Sequence, residues 1–167
     1  MAEKHLSSEF DAELSNISAR VLSMGGLVET QVAQAVRALS TFSAELAEHV
    51  LQKEEEVNAM EMQIDADLST IIARRQPTAR DLRLLIAVSR TIANLERVGD
   101  EAARIARMLQ RLLSTGATIH TRLPVQDLTV EAQLAVAQLR KALDAFARLD
   151  TARAFEVLKD DDQIDRE

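Results

Sequence analysis

Glu61 and Asp65 stand four residues apart in this chain, and so do Glu96 and Asp100, each pair set inside an apolar helical pattern. At 3.6 residues per turn, that spacing lays both carboxylates of a pair on one side of a helix, one turn apart. If the two helices are neighbours, four carboxylates converge into the oxygen-rich set that hard cations take. At roughly 100° per residue, Glu54, Asn58, Glu61 and Asp65 fall within about 60° of one another, along one edge of the apolar stripe. Glu54 and Asn58 therefore join the candidates. Glu96 and Asp100 lie about 40° apart, again beside their stripe. The ions implied are Mg²⁺, Mn²⁺ or iron, since no neighbouring His favours Zn²⁺ or Cu²⁺. Two ordinary readings stay open. Amphipathic helices have charged flanks in any case, and Arg97 or Arg104 could pair with Asp100 as a surface ion pair.

A second cluster is basic. Arg74, Arg75, Gln76 and Pro77, followed by Arg80 and Arg83, gather arginines at one joint of an otherwise acidic chain. A basic docking patch and a solvated loop fit that pattern equally. His5, His49 and His120 are isolated from one another, and no glycine-rich phosphate loop or nucleophile elbow is present. With no Cys, disulfides and thiolate chemistry are excluded. An enzyme is not expected. The Glu-x-x-His signature of di-iron bundles is missing too, although a carboxylate-bridged metal-binding or storage bundle remains the alternative function.

The elements that must position these groups are helices. The chain has 167 residues, 47% apolar, with only 2% aromatic, 4 Gly and 2 Pro, a composition poor in strand and turn formers. The expectation is an all-α antiparallel bundle. A first helix is expected from Ser7 or Ser8, with Gly25-Gly26 inside it either as a place for close helix approach or as a tolerated weak point. A second follows Ser43 as cap and stops at Arg74-Arg75-Gln76-Pro77. Thr78 with Asp81 resembles a capping box for the third, which ends at Ser114-Thr115-Gly116. A fourth runs from about Asp127 to Leu149, and a fifth starts near Asp150 or Thr151. This divides the chain into a three-helix bundle (1–115), a linker (116–126) and a partial second bundle (127–167). An internal repeat at an offset of 107 supports duplication: Val32, Ala35, Val36, Ala38 and Leu39 match Leu139, Ala142, Leu143, Ala145 and Phe146. It adds Asp161 and Asp165 as possible acidic counterparts. The net charge of −7 argues against nucleic acid as a partner. No apolar run approaches the ~20 residues of a membrane span, and the start has no secretory core, so a cytoplasmic location is expected.

Four segments in order resemble the PhoU family: Met24–Glu29, Val57–Asp65, Arg75–Arg83 and Leu95–Asp100. Asp144–Arg148 is similar to its second repeat. The resemblance covers essentially the whole chain. It implies two tandem three-helix bundles and a cytoplasmic negative regulator of phosphate uptake and of the phosphate-starvation response. Such proteins link the ATPase subunit of an ABC phosphate transporter to the sensor histidine kinase PhoR, reaching the membrane only through protein partners. The likeness also implies metal binding at Glu61, Asp65, Glu96 and Asp100, with the Arg-Gln-Pro loop facing a partner. Complete members continue past the point where this sequence stops. The apolar face expected on helices four and five therefore predicts a homodimer.

Overall fold

The computed structural model describes the backbone of residues 2–115 and 125–164, and the side chains of 8–115 and 128–160. Five helices follow one another: α1 (Ala2–Thr41), α2 (Ala44–Arg75), α3 (Ala79–Ser114), α4 (Val125–Arg148) and α5 (Thr151–Ile164). The first three pack against each other pairwise; α4 lies on α1, and α5 on α4. The all-α bundle is therefore the observed architecture. No helix among the described residues is long and apolar enough to cross a membrane.

The heptad-like apolar stripes build this core directly. Met24 and Val28 of α1, Val57 and Ile64 of α2, and Leu85 and Ile92 of α3 are fully buried together, with Leu139, Leu143 and Phe146 of α4 packed on the outside. Nearer the α1–α2 turn the core becomes alanine-rich, with Ala35, Ala38, Ala47, Ala102 and Ala106 joined by Leu109. Between the two clusters lies one polar layer, occupied by Gln31, Glu54 and Gly99.

Local signals explain most boundaries. Ser43 caps α2 by accepting from the Leu46 N–H at 3.2 Å. Gln76 takes a left-handed conformation (φ 47°) at the end of α2, where Pro77 forbids continuation. Three expectations are corrected. α1 is already helical at Ala2, so neither Ser7 nor Ser8 begins it. The capping box at Thr78 does not form, because the Thr78 hydroxyl donates to the Asp81 carboxylate (2.7 Å) and leaves the backbone N–H groups without a side-chain cap. α4 starts two residues ahead of Asp127. Of the paired glycines, Gly25 is the one at a close approach: a Cβ there would stand 2.5 Å from Leu143 of α4, whereas one on Gly26 meets nothing.

The duplication is visible in backbone detail. Phe42 and Leu149, 107 residues apart, share φ 51° at the α1–α2 and α4–α5 turns. Ser43 N–H donates to Ala38 O at 3.0 Å, and Asp150 N–H to Ala145 O at 2.9 Å, the same bond moved by one repeat. Asp150 also caps α5 through Arg153 N–H at 3.1 Å, as Ser43 caps α2.

Candidate functional site

The polar layer is where the acidic residues meet. Gln31, on the buried stripe of α1, is fully buried. Its Nε2 donates to Glu54 Oε2 at 2.7 Å and to Gly99 O at 3.2 Å, with Val50 O at 3.4 Å. One carboxamide thus ties together all three helices. Gly99 makes this possible, because a Cβ at that position would lie 2.9 Å from Gln31 Oε1 and 3.2 Å from Glu54 Oε2. Any side chain there would press on the layer.

Glu54 is only 7% exposed, yet its Oε1 has no partner, and the same holds for Gln31 Oε1 and for Oδ1 of Asn58 one turn along α2. A buried carboxylate oxygen left without a donor costs free energy on the order of 1–3 kcal/mol. On its solvent side, Glu54 meets Glu96 and Asp100 of α3: one carboxylate oxygen from each of the three lies within 4.8 Å of the others. The electrostatics follow. Burial pushes the Glu54 pKa above the ordinary carboxylate value, the Gln31 hydrogen bond opposes this, and Asp100 and Glu96 reinforce it. Glu96 is also raised, first by burial, then by Asp100 and Glu61, against the pull of Arg97. A divalent cation would reverse each of these costs at once, supplying positive charge and a partner for the orphaned oxygen.

The structure thus brings together Glu54, Glu96 and Asp100, with Asn58 and Glu61 half-buried on the adjoining turns of α2. Asp65 is exposed and stands apart, accepting from Ser89 Oγ at 3.4 Å. Ser89 precedes Glu96 by two helical turns, about 10 Å along α3. The arginine that approaches Asp100 is Arg107, at 3.7 Å; Arg104 turns to Glu101 at 3.1 Å instead. The Asp161 and Asp165 side chains lie outside the described residues.

Sequence reasoning missed Gln31. Its signal was present: an identical residue, Gln138, stands 107 positions on, one place before the matched stretch begins. Gln138 Nε2 donates to Val157 O at 3.0 Å, the counterpart of Val50 O.

At the α2–α3 joint the arginines divide. Arg75 turns onto α1, where Glu13 takes its Nε at 3.0 Å and an NH₂ group at 2.9 Å, and Glu9 accepts at 3.1 Å. This fork raises the Arg75 pKa and lowers that of Glu13. Arg74, Gln76, Arg80 and Arg83 are exposed, and Pro77 is half-buried.

A family model for the PhoU domain matches residues 21–109, which contain the whole polar layer. The chain is 46% identical to a Burkholderia protein over 96% of its own length and 68% of the other's. It is 41% identical to one from Escherichia coli K12 over 98% and 66% respectively. Both are named phosphate-specific transport system accessory protein PhoU or its homologue. This chain spans about two thirds of the length of these relatives. The crystal structure of PhoU from Pseudomonas aeruginosa superposes with a TM-score of 0.85 at 39% identity, covering 94% of this chain and 74% of that one. The phosphate transport system regulatory protein PhoU from Streptococcus pneumoniae gives 0.82 at 27% identity, covering 94% and 72%. Motifs, duplicated hairpins and relatives agree, and the chain belongs to the PhoU family.

Proposed function

We propose that this protein is a regulatory adaptor of phosphate-specific transport and not a catalyst. It works in the cytoplasm between the ATPase subunit of an ABC phosphate transporter and the sensor histidine kinase PhoR. It restrains uptake and the phosphate-starvation response when phosphate is ample. The observation that carries this reading is the likeness along nearly the whole chain to proteins named as accessories of phosphate transport. The test is capture of the transporter ATPase and of the kinase's cytoplasmic region by the tagged protein. In parallel, a starvation-responsive reporter is followed in cells lacking their own copy. Capture together with restored repression supports the adaptor; capture of neither partner sinks it.

Within that role, Glu54, Glu96 and Asp100 hold Mg²⁺, Mn²⁺ or iron as a tuning ligand, with Asn58 and Glu61 beside them and Asp65 outside the first set. The support is the orphaned, buried Glu54 oxygen facing two further carboxylates. Arg74, Arg80 and Arg83 are the partner-facing members of the arginine joint, while Arg75 holds α2 to α1. The exposed Leu134, Phe155 and Leu158 of α4 and α5 support a homodimer. A monomeric mass by light scattering at micromolar concentration would remove that part of the proposal.

A further inference from the structure

Five arginines recur at strict seven-residue spacing along α3: Arg83, Arg90, Arg97, Arg104 and Arg111. All five are exposed. Among the described residues only Arg104 reaches ion-pair distance, with Glu101; Arg97 acts on Glu96 from further off, and Arg83, Arg90 and Arg111 have no ion pair. That is unexpected in a chain where acidic residues outnumber basic ones 27 to 20. α3 itself carries seven arginines against four acidic residues, +3, within a chain of net charge −7. Its outer face is open, since among the described residues it packs only on α1 and α2. Apolar side chains accompany the stripe: Ile86, Val98 and Met108 are 43%, 37% and 48% exposed.

The geometry selects the partner's shape. Seven residues on a straight α-helix fall about 20° short of two full turns, so the stripe drifts by roughly 80° over its length of about 42 Å. A flat anionic surface would meet one end of such a line and lose the other. A second helix can follow it, because a seven-residue repeat is the period along which two helices wind left-handedly. The arginines run down the middle of this face with apolar side chains to either side of them, which matches a helix whose central line of carboxylates is flanked by apolar side chains. We propose that this face of α3 is a docking seam for an acidic amphipathic helix of a partner protein, its carboxylates on the arginines and its apolar side chains on Ile86, Val98 and Met108. The inference rests on the adaptor reading only for who that partner is.

The test compares the wild-type chain, the triple variant Arg90→Gln/Arg97→Gln/Arg111→Gln and the control Arg37→Gln, whose side chain is exposed on α1. Circular dichroism first establishes that each is folded. The probe is a synthetic helix with glutamate at one repeating heptad position and leucine at the positions on either side of it. Wild type and control should bind it at micromolar concentration, weakening as salt rises, and the triple variant should bind at least tenfold more weakly. Failure of the wild type to bind, equal binding by the triple variant, or stronger binding to phosphatidylglycerol vesicles or duplex DNA would each overturn the seam. Capture of the transporter ATPase or kinase region separates the two readings. If the triple variant captures whatever the wild type captures, the seam falls and the adaptor stands. If the wild type captures neither, the adaptor falls and the peptide result still decides the seam.

Discussion

The α1–α2 and α4–α5 hairpins are two copies of one design that differ in what packs on them. Each has a left-handed residue and a polar cap at its turn, and each sends a glutamine from its first helix to a backbone oxygen of its second. In the first copy, α3 closes over the glutamine, buries it fully, and adds the Gly99 carbonyl, Glu96 and Asp100. In the second, among the described residues, no helix stands where α3 would, and Gln138 stays part-buried on its single bond. Residues at matching places follow suit: Leu27 and Leu51 are half-buried, whereas Leu134 and Leu158 are 46% and 61% exposed. A glutamine clamp is thus common property of both hairpins, and the third helix converts it into an acidic site.

That contrast can be broken most forcefully in the core. Ile92→Ala, which removes a fully buried side chain of α3, should cost about 3 kcal/mol in denaturant unfolding. Leu158→Ala should stay within about 0.5 kcal/mol. Equal costs would mean that the hairpins are equally covered. The glutamines come next. Gln31→Ala strips Glu54 and two carbonyls of a donor and should cost roughly 2 kcal/mol, while Gln138→Ala, near solvent, should cost less than about 1 kcal/mol.

The glycines sharpen the picture with opposite signs. Gly26→Ala enters open space and should gain up to about 1 kcal/mol from helix propensity. At Gly99 the same gain is offset by contacts at 2.9 and 3.2 Å with two buried side chains, and a net loss of about 1 kcal/mol is expected. A stabilising Gly99→Ala would show that the layer gives way freely.

The smallest effect is one of pH. Glu54 has its pKa raised, chiefly by burial, so the folded chain binds that proton more tightly than the unfolded one. Its contribution to stability therefore grows as pH falls through the folded value toward the ordinary 4.5, and is lost above. With a chelator present, Glu54→Gln should raise the melting temperature at pH 7 and flatten its rise between pH 7 and the carboxylate range. An unchanged profile would place the titrating group elsewhere.

The five helices were legible because apolar spacing and caps such as Ser43 are local signals. Spacing and family motifs both pointed to α2 and α3, the two helices whose carboxylates the structure brings together. The exact membership of the cluster was not legible. Glu54 and Asp65 share nearly the same angle on α2, so periodicity could not choose between them. Their difference lies in the layer where α1 and α3 present Gln31 and Gly99, which is a tertiary fact. The same limit hid Arg75, whose partners Glu9 and Glu13 sit over sixty residues away.

The central proposal is that α3 and a buried Glu54 make the first hairpin a cation site. Mn²⁺ titration by calorimetry on the wild type, Glu54→Gln, Asp65→Asn and Asp161→Asn tests this most directly. The account predicts that Glu54→Gln alone abolishes binding or weakens it at least tenfold, with the other two near wild type. Undiminished binding by Glu54→Gln, or loss confined to Asp65→Asn or Asp161→Asn, would contradict it.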